Sequence, residues 1–497
     1  MITSQTLIPW VLFFLYVIAI AGLTWWNRRK ASSMQAFAVG TRMVPPFFVG
    51  LSLAANMTSV ATFVINPGLI YAYGWAGVVG YGMAAPLGIF LGLIVMSKRF
   101  RRLGDSYTAI TVPQWVGERY GDRRLTALFA LASLLQVTFL VLIVTALALV
   151  LQSVLGVPLV AALVFVVVFT FGYILLGGAS VHVWSNTVQA LIMIVVAVLL
   201  IASGAALFGH GVVGFFERLA AVGPHYASVT NPDSLLFRDV FEVIVANFVI
   251  GVAIIMQPHI ISKALYLRSE RDVNVYLTTA MLVGTLFTAV LLTGLYARLM
   301  LAGSLPPDRV IPTYIVEAFT PPLRAVIMLG VLAAGFSTLE GVALALSSIF
   351  AADLYGTLAR LAGVAEGTVR SRLLRVGRLF LVALAPITLL LAWWQAVRPS
   401  LSVAIFTQNG VYALFAATFA PVAFGIFSKR LTAPWVLASA LSALVVHFGM
   451  YYGKISAYHT NPAVPAACAL AVSLAVAAAG ALLAGGKGGA TRATSPD

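Results

Sequence analysis

Apolar residues run through this chain in long unbroken blocks, without the alternation of a half-buried strand. Blocks of about 20 apolar residues set between short polar loops predict helices that cross a bilayer. A membrane β-barrel is excluded, because its strands alternate apolar and polar positions. The blocks predict thirteen helices, near 8–26, 47–73, 77–97, 126–154, 158–177, 184–206, 240–262, 275–301, 323–352, 377–396, 402–427, 432–451 and 462–484.

Three blocks break the pattern. The ninth, from Leu329 to Tyr355, carries Ser337, Thr338 and Glu340 near its centre. An ionisable group at mid-membrane faces a cavity or a pathway by default. Ala334, Ser337, Thr338 and Gly341 follow i, i+3, i+4, i+7 spacing and share one helix face. Hydroxyl oxygens and a close backbone on that face suit a small hard cation. The second block has Asn56, Thr58, Ser59 and Thr62 in its middle, then Asn66, Pro67 and Gly68. This predicts a discontinuous helix whose freed carbonyls bind a cation. The seventh has Asn247, Gly251, Gln257, Pro258 and His259. The second and seventh blocks run in opposite directions, and each starts a set of five. Broken helices at matching places in two inverted halves point to a secondary transporter. The chain therefore divides into a leading helix (8–26), a first repeat (47–206), a second repeat (240–427) and two trailing helices (432–484), one membrane domain over 1–484. Residues 485–497 read as a disordered cytoplasmic tail.

Composition agrees with this picture. The chain is 61% hydrophobic and 9% charged, against about 25% charged in soluble domains. The net charge of +15 invites a nucleic-acid reading, which the charge distribution rejects. Most Lys and Arg fall in loops on one face, as in Arg28, Arg29, Lys30 and Lys98, Arg99, Arg101, Arg102. The positive-inside rule makes that face cytoplasmic, with the N-terminus outside and the C-terminus inside. The first helix lacks a basic leader and reads as retained. Cys468 stands alone, so an internal disulfide is impossible and a redox role has no support. The six histidines are scattered, and no metal spacing or nucleophile–base pattern suggests an enzyme.

Several ordered patterns carry a resemblance across nearly the whole chain: SLAANMTSVATFV with PGLIYAYG, AITVPQWVGERYG, GGASVHVWSNTVQ, QPHIISKALYLRSERD, and LAAGFSTLEG followed by SSIFAADLYG. In these residues the chain resembles the sodium:solute symporter family of sodium–sugar, –proline, –pantothenate and –sialic acid carriers. The resemblance implies an all-α, LeuT-type five-plus-five inverted repeat in a bacterial plasma membrane, taking up a small polar solute with Na+ by alternating access. It implies a Na+ site built from carbonyls of Ala54, Met57 and Ala334 and the hydroxyls of Ser337 and Thr338. Many members read Thr-Asp after the sixth-span tryptophan, and there this chain reads Ser185-Asn186. Where those members have small hydroxyl residues after the first site serine, this chain has Glu340 and Gly341. Three accounts of Glu340 stand open. It rebuilds a second cation site with Asn186 and Ser337, it accepts a proton, or it pairs with a structural partner.

The solute cavity is expected between the two broken helices, with Asn56, Ser59, Tyr81, Gln136, Asn247, and Thr407, Gln408 and Asn409 of the TQNG knot as lining candidates. No Arg or Lys falls in it, so an anion would rely on helix N-termini and amide or hydroxyl donors. A polyol, sugar or zwitterion fits equally. The competing readings are a proton-coupled carrier of the same fold and a transport-like sensor acting through a separate partner. The carrier is expected to work as a monomer.

Overall fold

The computed structural model describes residues 4–27, 44–107, 109, 111–398 and 402–485. The Arg28–Arg29–Lys30 cluster and the tail beyond 485 lie outside them. No strand occurs among the described residues. Among the described residues twelve helices are long and apolar enough to cross a membrane, and a thirteenth span is a bent pair. We number them α1 Leu7–Trp26, α2 Pro46–Tyr73, α3 Trp75–Arg102, α4 Arg123–Leu155, α5 Leu159–Leu176, α6 Ser185–Phe208, α7 Phe241–Ile254 with Pro258–Tyr266, α8 Glu270–Met300, α9 Pro321–Leu361, α10 Glu366–Val397, α11 Val403–Phe427, α12 Ala433–Tyr452 and α13 Ala463–Ala484.

Helical geometry runs through Leu159–Ala202, yet α5 and α6 are not one straight rod. Phe13 of α1 packs on Phe165 at 5.0 Å between ring centroids. Three residues on, Tyr16 accepts a hydrogen bond from Gln189. On one straight helix residues 165 and 189 would be about 36 Å apart, so the chain bends between them.

α2 packs on α8, and α3 on α7, which joins the first two helices of each repeat into one group. α9 packs along α5 and α6, and α10 against α4. α11 is backed by α12 and α13. Glycines make the α3–α7 crossing close. A Cβ at Gly88 would stand 2.2 Å from the Phe248 carbonyl, and one at Gly251 2.2 Å from that of Ala85.

Loops between the spans hold further helices that brace the ends. At the basic end, Val112–Tyr120 begins with Thr111, whose hydroxyl accepts from the Gln114 N–H, and ends at Gly121 with φ 68°. Arg119 donates to the carbonyls of Gly425 and Ser428, both at 2.7 Å. Thr111 donates to Asp353 at 2.6 Å. At the opposite end, Pro307–Ala318 lies over the outer half of α2. The Asp308 carboxylate there accepts from the Ser402 hydroxyl at 2.6 Å and the Val403 N–H at 3.0 Å, capping α11.

Candidate ion and solute site

Both breaks exist, and each has its own cause. In α2 the helix is interrupted at Ser59, with φ 45° and ψ 173°. This is about two turns before the helix breaker Asn66–Pro67–Gly68. Proline is tolerated there because Asn66–Tyr73 starts a new helical segment with Pro67 in its first turn. The Ser59 hydroxyl oxygen takes the Ala61 N–H at 3.0 Å and stabilises the new start. In α7 the two segments meet at 57° across residues 255–257, where Pro258 cannot continue the hydrogen-bond ladder.

A helix end leaves its last carbonyls without helical partners. The turn before Ser59 is therefore rich in available oxygens, and the polar face of α9 meets it. Ser337 donates to the Ala55 carbonyl at 3.2 Å and lies 3.0 Å from that of Ala334. Thr338 donates to the Asn56 carbonyl at 3.1 Å, with the Ala334 carbonyl at 3.3 Å. Both residues are fully buried. The carbonyls touched are thus one position removed from the expected pair. Ala54 is engaged by the Thr58 hydroxyl at 2.7 Å, and Met57 borders the adjoining cavity. The donor set is neutral and all oxygen, as a dehydrated hard monovalent cation requires.

Glu340 is 2% exposed and accepts from the Ser185 hydroxyl at 3.0 Å. Ser185 directly precedes Asn186, which is fully buried in the same wall.

A cavity of about 170 Å³ opens between the two breaks. Of the sequence candidates, Ser59, Tyr81, Asn247, Thr407 and Gln408 line it. Tyr81 accepts from the Gln408 amide at 2.8 Å across it. The other three point elsewhere. Asn56 turns toward α9, its amide occupying the space beside Gly341. Gln136 is buried in a 3-10 turn of α4, Leu134–Gln136. Asn409 bonds to His447 at 3.0 Å and to Tyr452 at 3.0 Å on α12. TQNG thus sends its side chains three ways, since Thr407 donates to the Thr138 carbonyl of α4 at 2.8 Å.

The sequence reading missed Gln257 as a lining residue. It sits at the α7 break, faces the cavity, and its amide oxygen has no hydrogen-bond partner among the described residues. Its place beside Pro258 was the available signal. Phe90, Phe139, Leu142, Ile250 and Phe415 supply an apolar wall, and among the described residues no charged side chain lines the cavity.

Two inverted groups of helices, a discontinuous helix in each, and a buried oxygen cluster beside an internal cavity define an ion-coupled secondary transporter. Comparisons with known proteins agree. The sequence pattern of the sodium:solute symporter family matches residues 37–443, so the chain belongs to that family. It is 25% identical over 448 residues to the sodium/pantothenate symporter of Escherichia coli (strain K12), covering 88% of each chain. It is 26% identical over 480 residues to the sodium/proline symporter of Salmonella typhimurium, covering 93% of this chain and 91% of that one. Its fold matches a Na+-coupled sialic acid symporter with a TM-score of 0.77 at 17% identity, over 97% of this chain and 98% of the other. The protein is a Na+-coupled solute symporter of a multi-pass membrane family, and its relatives are transporters rather than enzymes.

Proposed function

We propose that Na+ binds at the α2–α9 junction, held by the Ser337 and Thr338 hydroxyls and the carbonyls of Ala334 and the turn preceding Ser59, the turn that contains Ala54 and Met57. The ion takes the place of the hydrogens those hydroxyls now donate. The observation that carries this reading is the shared break. Met57, Thr58 and Ser59 border the cavity, while Ala55 and Asn56, immediately before them, meet the α9 hydroxyls. An ion there fixes the turn that forms one wall of the solute site, and binding of either favours the other.

The solute is a small organic molecule with an apolar body and several hydrogen-bonding groups. Gln257, Gln408, Tyr81, Asn247 and Ser59 meet its polar side, and the aromatic and aliphatic wall meets the rest. Pantothenate, proline and sialic acid, the solutes for which the relatives are named, all carry a carboxylate, joined to hydroxyl and amide groups in the first and last and to a secondary ammonium in proline. In this cavity a carboxylate would rest on amide donors and helix N-termini. The basic end faces the cytoplasm, with the N-terminus outside, and one chain suffices for transport.

The test is uptake into proteoliposomes from a panel of labelled amino acids, sugars and carboxylates, under an imposed Na+ or H+ gradient. Uptake driven by Na+ alone is expected. Uptake driven by H+ with Na+ absent would overturn the reading in favour of a proton-coupled carrier.

A further inference from the structure

Lys263 stands on the inner segment of α7, Pro258–Tyr266, and is 1% exposed. An ammonium so far from water is tolerated only with a countercharge and good acceptors nearby. Ser52 of α2 supplies two oxygens, its hydroxyl at 2.5 Å and its carbonyl at 3.2 Å. Glu340, equally buried, is an acidic side chain on the facing helix α9. Three helices meet here. Lys263 lies one turn beyond His259 on α7, and Ser52 one turn before Asn56 on α2. The Asn56 amide donates to the His259 carbonyl at 3.4 Å. The same amide lies against Gly341 of α9, where an added Cβ would meet its nitrogen at 2.6 Å. Glu340 is the next residue. The ammonium and the carboxylate therefore share one junction, on two helix groups that pack face to face.

We propose that Lys263 is a tethered cation that neutralises Glu340, so that this chain carries one Na+, at the Ser337–Thr338 site, and needs no second mobile ion. The inference rests on the Na+ reading above. Ser185 holds one carboxylate oxygen from α6, and the tethered ammonium supplies the positive charge that a dissociable ion would otherwise bring. The carboxylate added at position 340 and the lysine at 263 are two halves of one device.

The test is equilibrium binding of radioactive Na+ to the purified full-length protein, together with its melting temperature. The parent is expected to bind one Na+ per chain. Lys263→Met exposes the carboxylate to solution cations and is expected to bind two. Lys263→Met/Glu340→Gln is expected to return to one, and to melt above both single variants. A parent that binds two Na+ would overturn the proposal, as would Lys263→Met staying at one. If Lys263→Met does not fold, recovery of a folded, Na+-binding double variant supports the pair, and failure to recover refutes it. A parent that binds no Na+ refutes the Na+ reading instead, and the melting cycle still decides the pair: a double variant melting no higher than the less stable single variant shows no mutual neutralisation.

Discussion

The breaks in α2 and α7 occupy corresponding places in the two repeats and are built differently. α2 breaks on a backbone torsion, with a non-glycine residue at positive φ, and its freed carbonyls are met by hydroxyls from α9. α7 breaks on a proline and bends by 57°; what it presents to the cavity is the Gln257 side chain. The first break offers backbone oxygens, which suit an ion. The second offers an amide, which suits hydrogen-bonding groups of a solute. Inversion of the repeat preserved the position of the interruption while its chemistry diverged.

This division of labour predicts separable defects. The largest is expected from Ser337→Ala with Thr338→Ala, which removes both hydroxyl ligands. With ion–solute coupling of about 1–3 kcal/mol, the half-saturating Na+ concentration should rise roughly tenfold or more, read from Na+ titration of uptake. Solute affinity at saturating Na+ should move far less. Unchanged Na+ dependence in this variant would end the assignment of the α2 break to the ion.

Gln257→Ala should give the converse. The loss of a hydrogen bond of about 0.5–1.5 kcal/mol raises the KM for solute by roughly three- to tenfold, with Na+ dependence near that of the parent. Gln408→Ala should follow it. A Gln257 variant that shifts the Na+ curve and spares the KM would reverse the roles drawn for the two breaks.

The next effect concerns the torsion itself. A positive φ with an extended ψ costs a residue with a Cβ about 1–3 kcal/mol, and glycine is free of it. Ser59→Ala keeps that cost and loses the acceptor for the Ala61 N–H, so it should lower the melting temperature in detergent. Ser59→Gly loses the same acceptor but relaxes the backbone, and should melt above Ser59→Ala. The reverse order would show that the torsion is not strained.

The smallest effect belongs to Asp308, in the connecting helix outside the membrane spans. Burial pushes its carboxyl above the usual carboxylate range, against the opposing pull of the Ser402 and Val403 hydrogen bonds. A raised folded-state value means that the neutral form is favoured in the fold. Its contribution is fully present below the ordinary carboxylate range and declines as pH rises through the higher folded value. Parent melting temperature should therefore fall slightly from about pH 4 upward, and Asp308→Asn should flatten that slope. A variant with the parent's slope would place the dependence elsewhere.

Much of this was legible in the sequence for one reason: lipid tolerates few polar groups, so each one in an apolar block carries information. The α9 face with Ser337 and Thr338, the two interrupted spans and the buried Glu340 all stood out in that way. What stayed hidden depended on direction and torsion. Ser59 bears no mark of a positive φ, whereas Asn66–Pro67–Gly68 carries every mark of a break and is helical. Asn56, Gln136 and Asn409 are as polar as Gln408, and only the rotation of each helix shows that they look away from the cavity. Lys263 was hidden by its charge. Hydropathy ends the seventh span at 262, yet the ammonium lies inside the protein.

The three-way split of TQNG reaches beyond the cavity. Asn409 is gripped by His447 and Tyr452, both on the trailing helix α12. Were the chain shortened after α11, that amide would face hydrocarbon with nothing to bond, at a cost of several kcal/mol. The two helices added after the repeats are therefore the solvent of α11, and a minimal carrier cut down to its ten repeat helices would have to replace that asparagine before it could insert.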